Sequence, residues 1–170
     1  MRRITALLIS IILCFSLNSC SRETGTESRG AGYTRRIDMY QSCTGLVLGD
    51  MTDDRVSVLY DGMGSGAYLD ITCIQCSEQD VITPQLEKSD IWTDLPYFEE
   101  IDRYIEAAGG YAAYDFTSIE KGRYTMCGRV DGSQEYERSP DALEIWTQTY
   151  ISIWDEENMI LYLISIDKTL

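Results

Sequence analysis

The chain has 170 residues, 28 of them acidic and 14 basic, so its formal net charge at neutral pH is −14. Charge of this sign argues against binding to nucleic acid and against docking on anionic lipid headgroups through a basic patch. The sequence contains no histidine. It therefore lacks the usual general base, the commonest zinc and copper ligand, and every catalytic triad that requires an imidazole. We expect no catalytic residues, no metal site and no cofactor.

Residues 1–19 are predicted to form a signal peptide. Two arginines precede an almost entirely apolar run over residues 4–17. This run is shorter than the about 20 residues that a membrane-spanning helix needs, and it has the layout of a secretory signal. It ends in the sequence LNSC at residues 17–20, which resembles the lipobox of bacterial lipoproteins.

The lipobox resemblance implies that Cys20 is lipidated and becomes the new N-terminus. The protein would then be held by its lipid at the extracytoplasmic face of the bacterial cell envelope. A plain signal peptide with an incidental cysteine, or an N-terminal membrane helix, are the alternatives. Loss of the leader would leave 12 basic against 28 acidic residues, a formal charge of −16.

Residues 20–32 are predicted to be the lipidated cysteine and a flexible tether. After Cys20 the segment has the sequence SRETGTESRGAG, with no aromatic residue and no aliphatic residue larger than alanine. It cannot bury enough apolar surface to offset the entropy lost on ordering. A single globular domain is predicted over residues 33–170.

The predicted domain begins with three β-rich segments at residues 44–50, 55–62 and 66–73. Short polar or glycine-rich turns separate them, which favours an antiparallel meander. The polar stretch over residues 77–93 shows no clear hydrophobic period, so no helix or strand is predicted there.

One amphipathic helix is predicted over residues 94–108. Its apolar residues recur three or four positions apart, as on one face of a helix: Leu95, Phe98, Ile101, Ile105 and Ala108. Asp94 is the predicted N-cap, and Gly109-Gly110 supplies the left-handed stop. We expect the helix to lie on one face of the sheet.

Four further β-rich segments follow at residues 111–118, 122–130, 146–154 and 159–167. The last is apolar at both sets of alternating positions, which is typical of a central strand covered on each side. Residues 155–158 are predicted to turn the final hairpin. The fold class is therefore predicted to be α+β, a mostly antiparallel sheet of about seven strands with one packed amphipathic helix.

Four cysteines besides Cys20 lie in the predicted mature chain: Cys43, Cys73, Cys76 and Cys127. An even number of cysteines in an exported domain makes them disulfide candidates. Residues three apart on a strand point to opposite faces, so we expect Cys73 and Cys76 to bond to Cys43 and Cys127 instead of to each other. A thioredoxin-like redox pair is the alternative. That resemblance asks for an aromatic residue directly before the first cysteine and a long helix starting at the pair, but Thr72 stands directly before Cys73 and Pro84 follows Cys76 by only eight residues.

We expect the domain to act by binding a protein or small-molecule ligand, with the membrane contacted through the lipid anchor. A thiol–disulfide redox protein using Cys73 and Cys76 is the first alternative. A carbohydrate-binding or carbohydrate-active protein is the second, because acids are plentiful and Trp92, Trp146 and Trp154 could contact a sugar.

Overall fold

The computed structural model describes residues 40–48, 55–63, 66–80, 82–97, 99–110 and 114–168. The predicted signal peptide, Cys20 and the tether lie outside these ranges. Within the described part, no helix is long and apolar enough to cross a membrane.

A six-stranded sheet forms the centre of the described chain, and every neighbouring pair of strands is antiparallel. The strands are β1 (Val56–Met63), β2 (Tyr68–Gln75), β3 (Thr93–Asp94), β4 (Gly122–Arg129), β5 (Gln148–Asp155) and β6 (Ile160–Asp167). Their order across the sheet is β1-β2-β6-β5-β4-β3. A mostly antiparallel α+β fold is confirmed, with six strands in place of about seven.

Strand β6 lies between β2 and β5, as predicted from its continuous apolar run. Its side chains enter two separate cores, because successive residues of a strand point to opposite faces. Tyr162 and Ile164 belong to the core on what we call the front face, whereas Leu161 and Leu163 belong to the core on the back face.

The turn between β5 and β6 is held by Asp155, at the end of β5. Its carboxylate accepts hydrogen bonds from the backbone N–H of Asn158 at 3.0 Å and from the Asn158 side chain at 2.8 Å. The predicted final hairpin is confirmed by these contacts and by the register of the two strands.

Two of the predicted strands do not form in the described residues. In the first, residues 45–48 are neither helix nor strand; they follow a helical segment over residues 40–44, which ends at Gly45 with φ of 69°. Residues 116–118 form a short 3-10 helix capped by Asp115, whose side chain accepts from the N–H of Thr117. Leu46, Leu48 and Phe116 are buried as cover over the sheet, whereas Val47 is exposed. The buried apolar residues explain why these segments resemble strands in composition.

The back face is covered by helix α1 (Ile82–Glu87) and by residues 40–48. Gln85 joins the two, since Val47 N–H donates to its Oε1 at 2.8 Å and its Nε2 donates to the Val47 carbonyl at 3.1 Å. The Trp92 indole N–H donates to the Thr44 carbonyl at 2.8 Å. Helix α1 was missed because it contributes only two buried residues, Ile82 and Leu86, too few to give a period.

The front face is covered by helix α2 (Glu99–Ala107), which is the predicted amphipathic helix. Ile101 and Ile105 are fully buried and Gly109 has a φ of 86°, so the apolar face and the stop are confirmed. Phe98 lies outside the described residues. The helix begins later than predicted because Pro96 disfavours helical backbone at the residue before it, and Asp94 pairs in β3 instead of capping. The sheet is therefore covered on both faces, as the apolar pattern of the last strand predicted, and the predicted helix lies on one of them.

Candidate functional site

Cys73 and Cys76 lie on opposite sides of the sheet. Cys73 packs against the front core, whereas Cys76 is buried in the back core. This separation agrees with the alternation expected along a strand. A C-x-x-C redox centre needs two sulfurs that can bond to each other, so this arrangement does not support thiol–disulfide chemistry at the pair.

Burial disfavours the thiolate form of both residues, although Cys73 is only partly buried. It raises the pKa of Cys73. Burial, together with the negative charge of Asp80, raises the pKa of Cys76 to about 11. Catalytic thiols show the opposite shift, toward a stable thiolate at neutral pH.

Cys43 and Cys127 are in contact in the back core. Cys43 lies in the helical segment 40–44 and Cys127 on β4, opposite Tyr150 of β5. Their side chains are hydrogen-bonded to each other, and only 3% and 0% of their surfaces are exposed. Both are thiols in the structure, as are Cys73 and Cys76.

The expected bonding of Cys73 and Cys76 to Cys43 and Cys127 does not fit this fold. Cys73 lies on the front side of the sheet, whereas Cys43 and Cys127 lie in the back core. Cys76 shares the back core, but β2 and β4 are three strand spacings apart, roughly 14 Å. The register also places the end of β2 level with Gly122, five residues along β4 from Cys127. Disulfides require Cα atoms within about 7 Å.

The contact between Cys43 and Cys127 polarises the two thiols differently. The hydrogen bond from Cys127 lowers the pKa of Cys43, with smaller contributions from Arg138 and Arg129, and burial opposes this shift. The same contact, followed by burial, raises the pKa of Cys127. A thiolate on one sulfur of the pair is thus stabilised by the proton of the other.

Aromatic residues surround the thiol pair. The Tyr150 ring packs edge-on against Tyr40 at 5.9 Å and Tyr136 at 5.8 Å between centroids. The Arg129 guanidinium lies 5.4 Å from the centre of the Tyr136 ring. These contacts enclose the two sulfurs, which agrees with a structural role better than with a reaction that needs an entering substrate.

The front side carries an open groove of about 580 Å³ between α2 and residues 140–144. Its lining combines acidic residues and one basic residue with less polar side chains, namely Glu100, Asp141, Glu144, Arg103, Tyr104, Ala107, Pro140 and Leu143. Among the described residues, Asp141 and Glu144 have no ion-pair partner. The groove can therefore offer two uncompensated carboxylates beside an apolar surface.

Tyr104 is held firmly within this groove. Its hydroxyl is hydrogen-bonded to the Thr149 hydroxyl at 3.0 Å, and the Lys168 ammonium lies 4.7 Å from the centre of its ring. The ring therefore already makes a cation–π contact with a lysine of the same chain, an interaction favoured by the negative face of an aromatic ring.

The tryptophans do not offer a platform for a sugar. Trp92, Trp146 and Trp154 are each at least nine-tenths buried within the two cores. In the described part of the chain, no group of three or more histidine, cysteine, aspartate or glutamate side chains could hold a metal ion.

The groove could not be predicted from the sequence. Its two sides come from α2 and from a segment that begins more than thirty residues later along the chain, and neither side contains a motif. The signal that exists, exposed acids on α2, is common to most surface helices.

No protein-family model matches this chain, and comparison with the curated proteins and with the solved structures found no match either.

Proposed function

We propose that this chain is a lipid-anchored extracytoplasmic domain of the bacterial cell envelope that acts by binding a ligand in the groove between α2 and residues 140–144. The proposal rests on the presence of this groove and on the residues that line it. The lipobox resemblance at residues 17–20 and the tether composition of residues 20–32 support its location.

The lining of the groove indicates a cationic ligand with an apolar portion. Asp141 and Glu144 are free to pair with positive charge, whereas Glu100 is already paired with Arg103 at 3.8 Å. Tyr104, Ala107 and Leu143 supply apolar surface beside them. The net charge of −14 would also draw a cationic ligand toward the protein. A basic peptide segment has this chemistry.

The alternative functions have less support. A redox centre at Cys73 and Cys76 is disfavoured by their placement on opposite faces of the sheet. A sugar-binding surface is disfavoured by the burial of the three tryptophans.

An NMR titration of the purified protein tests the proposal, with a short peptide of lysine and phenylalanine as the probe. We expect shifts of the backbone amides of α2 and residues 140–144 that weaken with added salt. The double variant Asp141→Asn/Glu144→Gln should weaken binding roughly two- to thirtyfold, since each exposed ion pair contributes about 0.2–1 kcal/mol.

The matched control is Asp131→Asn/Glu135→Gln, which removes the same charge from exposed residues outside the groove. It should leave the affinity close to that of the wild type. Equal weakening by both double variants, or shifts that avoid the groove, would show that the peptide is attracted only by overall charge and that the groove is not the binding site.

A further inference from the structure

The contact between Cys43 and Cys127 has a chemical consequence for an exported protein. We infer that these two residues form a disulfide bond in the mature protein and that Cys73 and Cys76 remain thiols. The inference rests on the proposed function in one respect, since export supplies the oxidising compartment in which such bonds persist.

The backbones on both sides of the thiol pair are fixed before any bond forms. The helical segment carrying Cys43 ends at Gly45, whose N–H donates to the Gln41 carbonyl at 2.8 Å. The carbonyl of Thr44, the residue after Cys43, accepts a hydrogen bond from the Trp92 indole N–H at 2.8 Å. Cys127 lies within the continuous eight-residue register of β4 with β5. The Tyr40 ring of the helical segment packs on Tyr150, the β5 residue opposite Cys127, so the bond would join two neighbouring backbone segments whose thiols are already hydrogen-bonded.

Each step of the oxidation has an identified participant. The thiolate of one of the two cysteines attacks one sulfur of a disulfide donor, which is a protein disulfide of the thiol-oxidase class, and the second donor sulfur leaves as a thiolate. The thiol of the other cysteine then loses its proton and attacks the first cysteine's sulfur, which releases the remaining donor thiol. Two protein thiols lose two electrons and two protons, and the donor disulfide is reduced to two thiols.

The burial of the pair fixes when the bond can form. Because both sulfurs are buried in the folded domain, the donor must react before the back core closes over them. The bond is thus formed during folding and is then shielded from reductants.

Cys73 and Cys76 have no sulfur within bonding reach among the described cysteines, because one lies on the front face and the other at the far end of the back core. The bond from Cys43 to Cys127 would fasten residues 40–48 covalently to the sheet. These residues follow the predicted tether. A force applied through the lipid anchor would therefore be transmitted to strand β4 and would not separate residues 40–48 from the sheet.

Thiol trapping on the full-length protein tests the inference. Cells are quenched with acid, and the protein is denatured with N-ethylmaleimide, purified and mapped by peptide mass spectrometry. We expect maleimide on Cys73 and Cys76 and a peptide pair joined through Cys43 and Cys127. Maleimide on all four residues, or a bond that involves Cys73 or Cys76, would overturn the inference.

Stability measurements separate the bond from mere packing of the two side chains. In oxidised protein, Cys43→Ala should lower the melting temperature by roughly 10 °C or more, because the bond closes a long loop. Cys127→Ala and the double variant should melt at the same temperature as Cys43→Ala. The control Cys76→Ala should keep the full difference between oxidised and reduced protein, whereas loss of that difference in the control would contradict the inference.

A third measurement distinguishes failure of this inference from failure of the proposed function. Reduced full-length protein is incubated with oxidised glutathione in mild denaturant and then diluted to refold. The bond between Cys43 and Cys127 should form wherever the protein resides in the cell. A protein that is found at the envelope but resists this oxidation would overturn the inference and leave the proposed location intact.

Discussion

At the scale of single residues, burial and close approach decide which positions tolerate change. Ile101 and Ile105 were expected from their spacing to face the core, and both are fully buried. Gly128 could not be identified in this way. It is one of 13 glycines, and only the packing of a distant residue against it shows why it must remain a glycine.

Gly128 is predicted to be intolerant of alanine. A Cβ at this position would lie 2.1 Å from ring atoms of Trp146, which packs directly on the strand. Gly128→Ala must therefore displace the fully buried indole, and such overpacking typically costs about 1–3 kcal/mol. Urea denaturation would measure the loss, and tryptophan fluorescence would report movement of the ring.

The control is Gly62→Ala on β1, where the added Cβ would meet only the flexible Tyr60 side chain at 3.7 Å. It should cost clearly less than Gly128→Ala. If the two variants were equally stable, the indole would not be packed on Gly128 as described.

At the scale of elements, one ion pair fixes the loop after β2 to the start of β1. Asp80 belongs to the 3-10 helix Glu78–Asp80, and its carboxylate lies 2.6 Å from the Arg55 guanidinium. It also accepts hydrogen bonds from the backbone N–H of Ser77 at 2.7 Å and from the Ser77 hydroxyl at 2.9 Å. Its side chain is only 5% exposed, so this contact is better shielded from solvent than a surface ion pair.

The stability of the domain is predicted to depend on Asp80 at acidic pH. Burial alone would raise the pKa of Asp80, but hydrogen bonds from Ser77 and Arg55 and the charge of Arg55 outweigh it, so the pKa is lowered from 3.8. A lowered pKa in the folded state stabilises the protein above pH 3.8, and this contribution is lost as the pH falls through the folded-state pKa.

Asp80→Asn should therefore be less stable than the wild type at neutral pH, and the difference should shrink as the pH falls below 3.8. Urea denaturation across a pH series would measure this. Arg55→Gln removes the partner, and in that background the effect of Asp80→Asn should be smaller. A difference that stays constant with pH would mean that the carboxylate contributes nothing through its charge.

At the scale of the whole molecule, the proposed binding function depends on attachment to the envelope. The sheet carries its hydrophobic cores on both faces, and the groove lies on the front side. An acidic domain on a tether would be held away from an anionic membrane and remain accessible to a cationic ligand.

Cys20→Ala is predicted to abolish lipid attachment, because alanine has no thiol to receive the lipid that the lipobox resemblance implies. The variant should either appear in the soluble fraction or accumulate unprocessed with its leader. Cell fractionation with immunoblotting would show which. Cys14→Ala, which removes the other cysteine of the leader region, is the matched control and should fractionate as the wild type does; a Cys20→Ala protein that stays in the membrane at its mature size would refute the lipobox interpretation.

The sequence by itself determined the features that depend on neighbouring residues. Strands β2, β5 and β6, the turn after Asp155 and the buried side of α2 follow from local periodicity and turn chemistry, because each pattern repeats within a few residues. The opposite orientation of Cys73 and Cys76 follows in the same way from the alternation of a strand.

Only the tertiary structure decided the features that join distant parts of the chain. Helix α1 and residues 40–48 pack against the back face of the sheet. The apolar pattern of the strands shows that this face is buried but not which segments cover it. The contact of Cys43 with Cys127 and the groove beside α2 each combine segments far apart in sequence. Such contacts leave no periodic signal in the sequence. Apolar surface is buried favourably against any complementary segment, and the strand order decides which segment lies close enough.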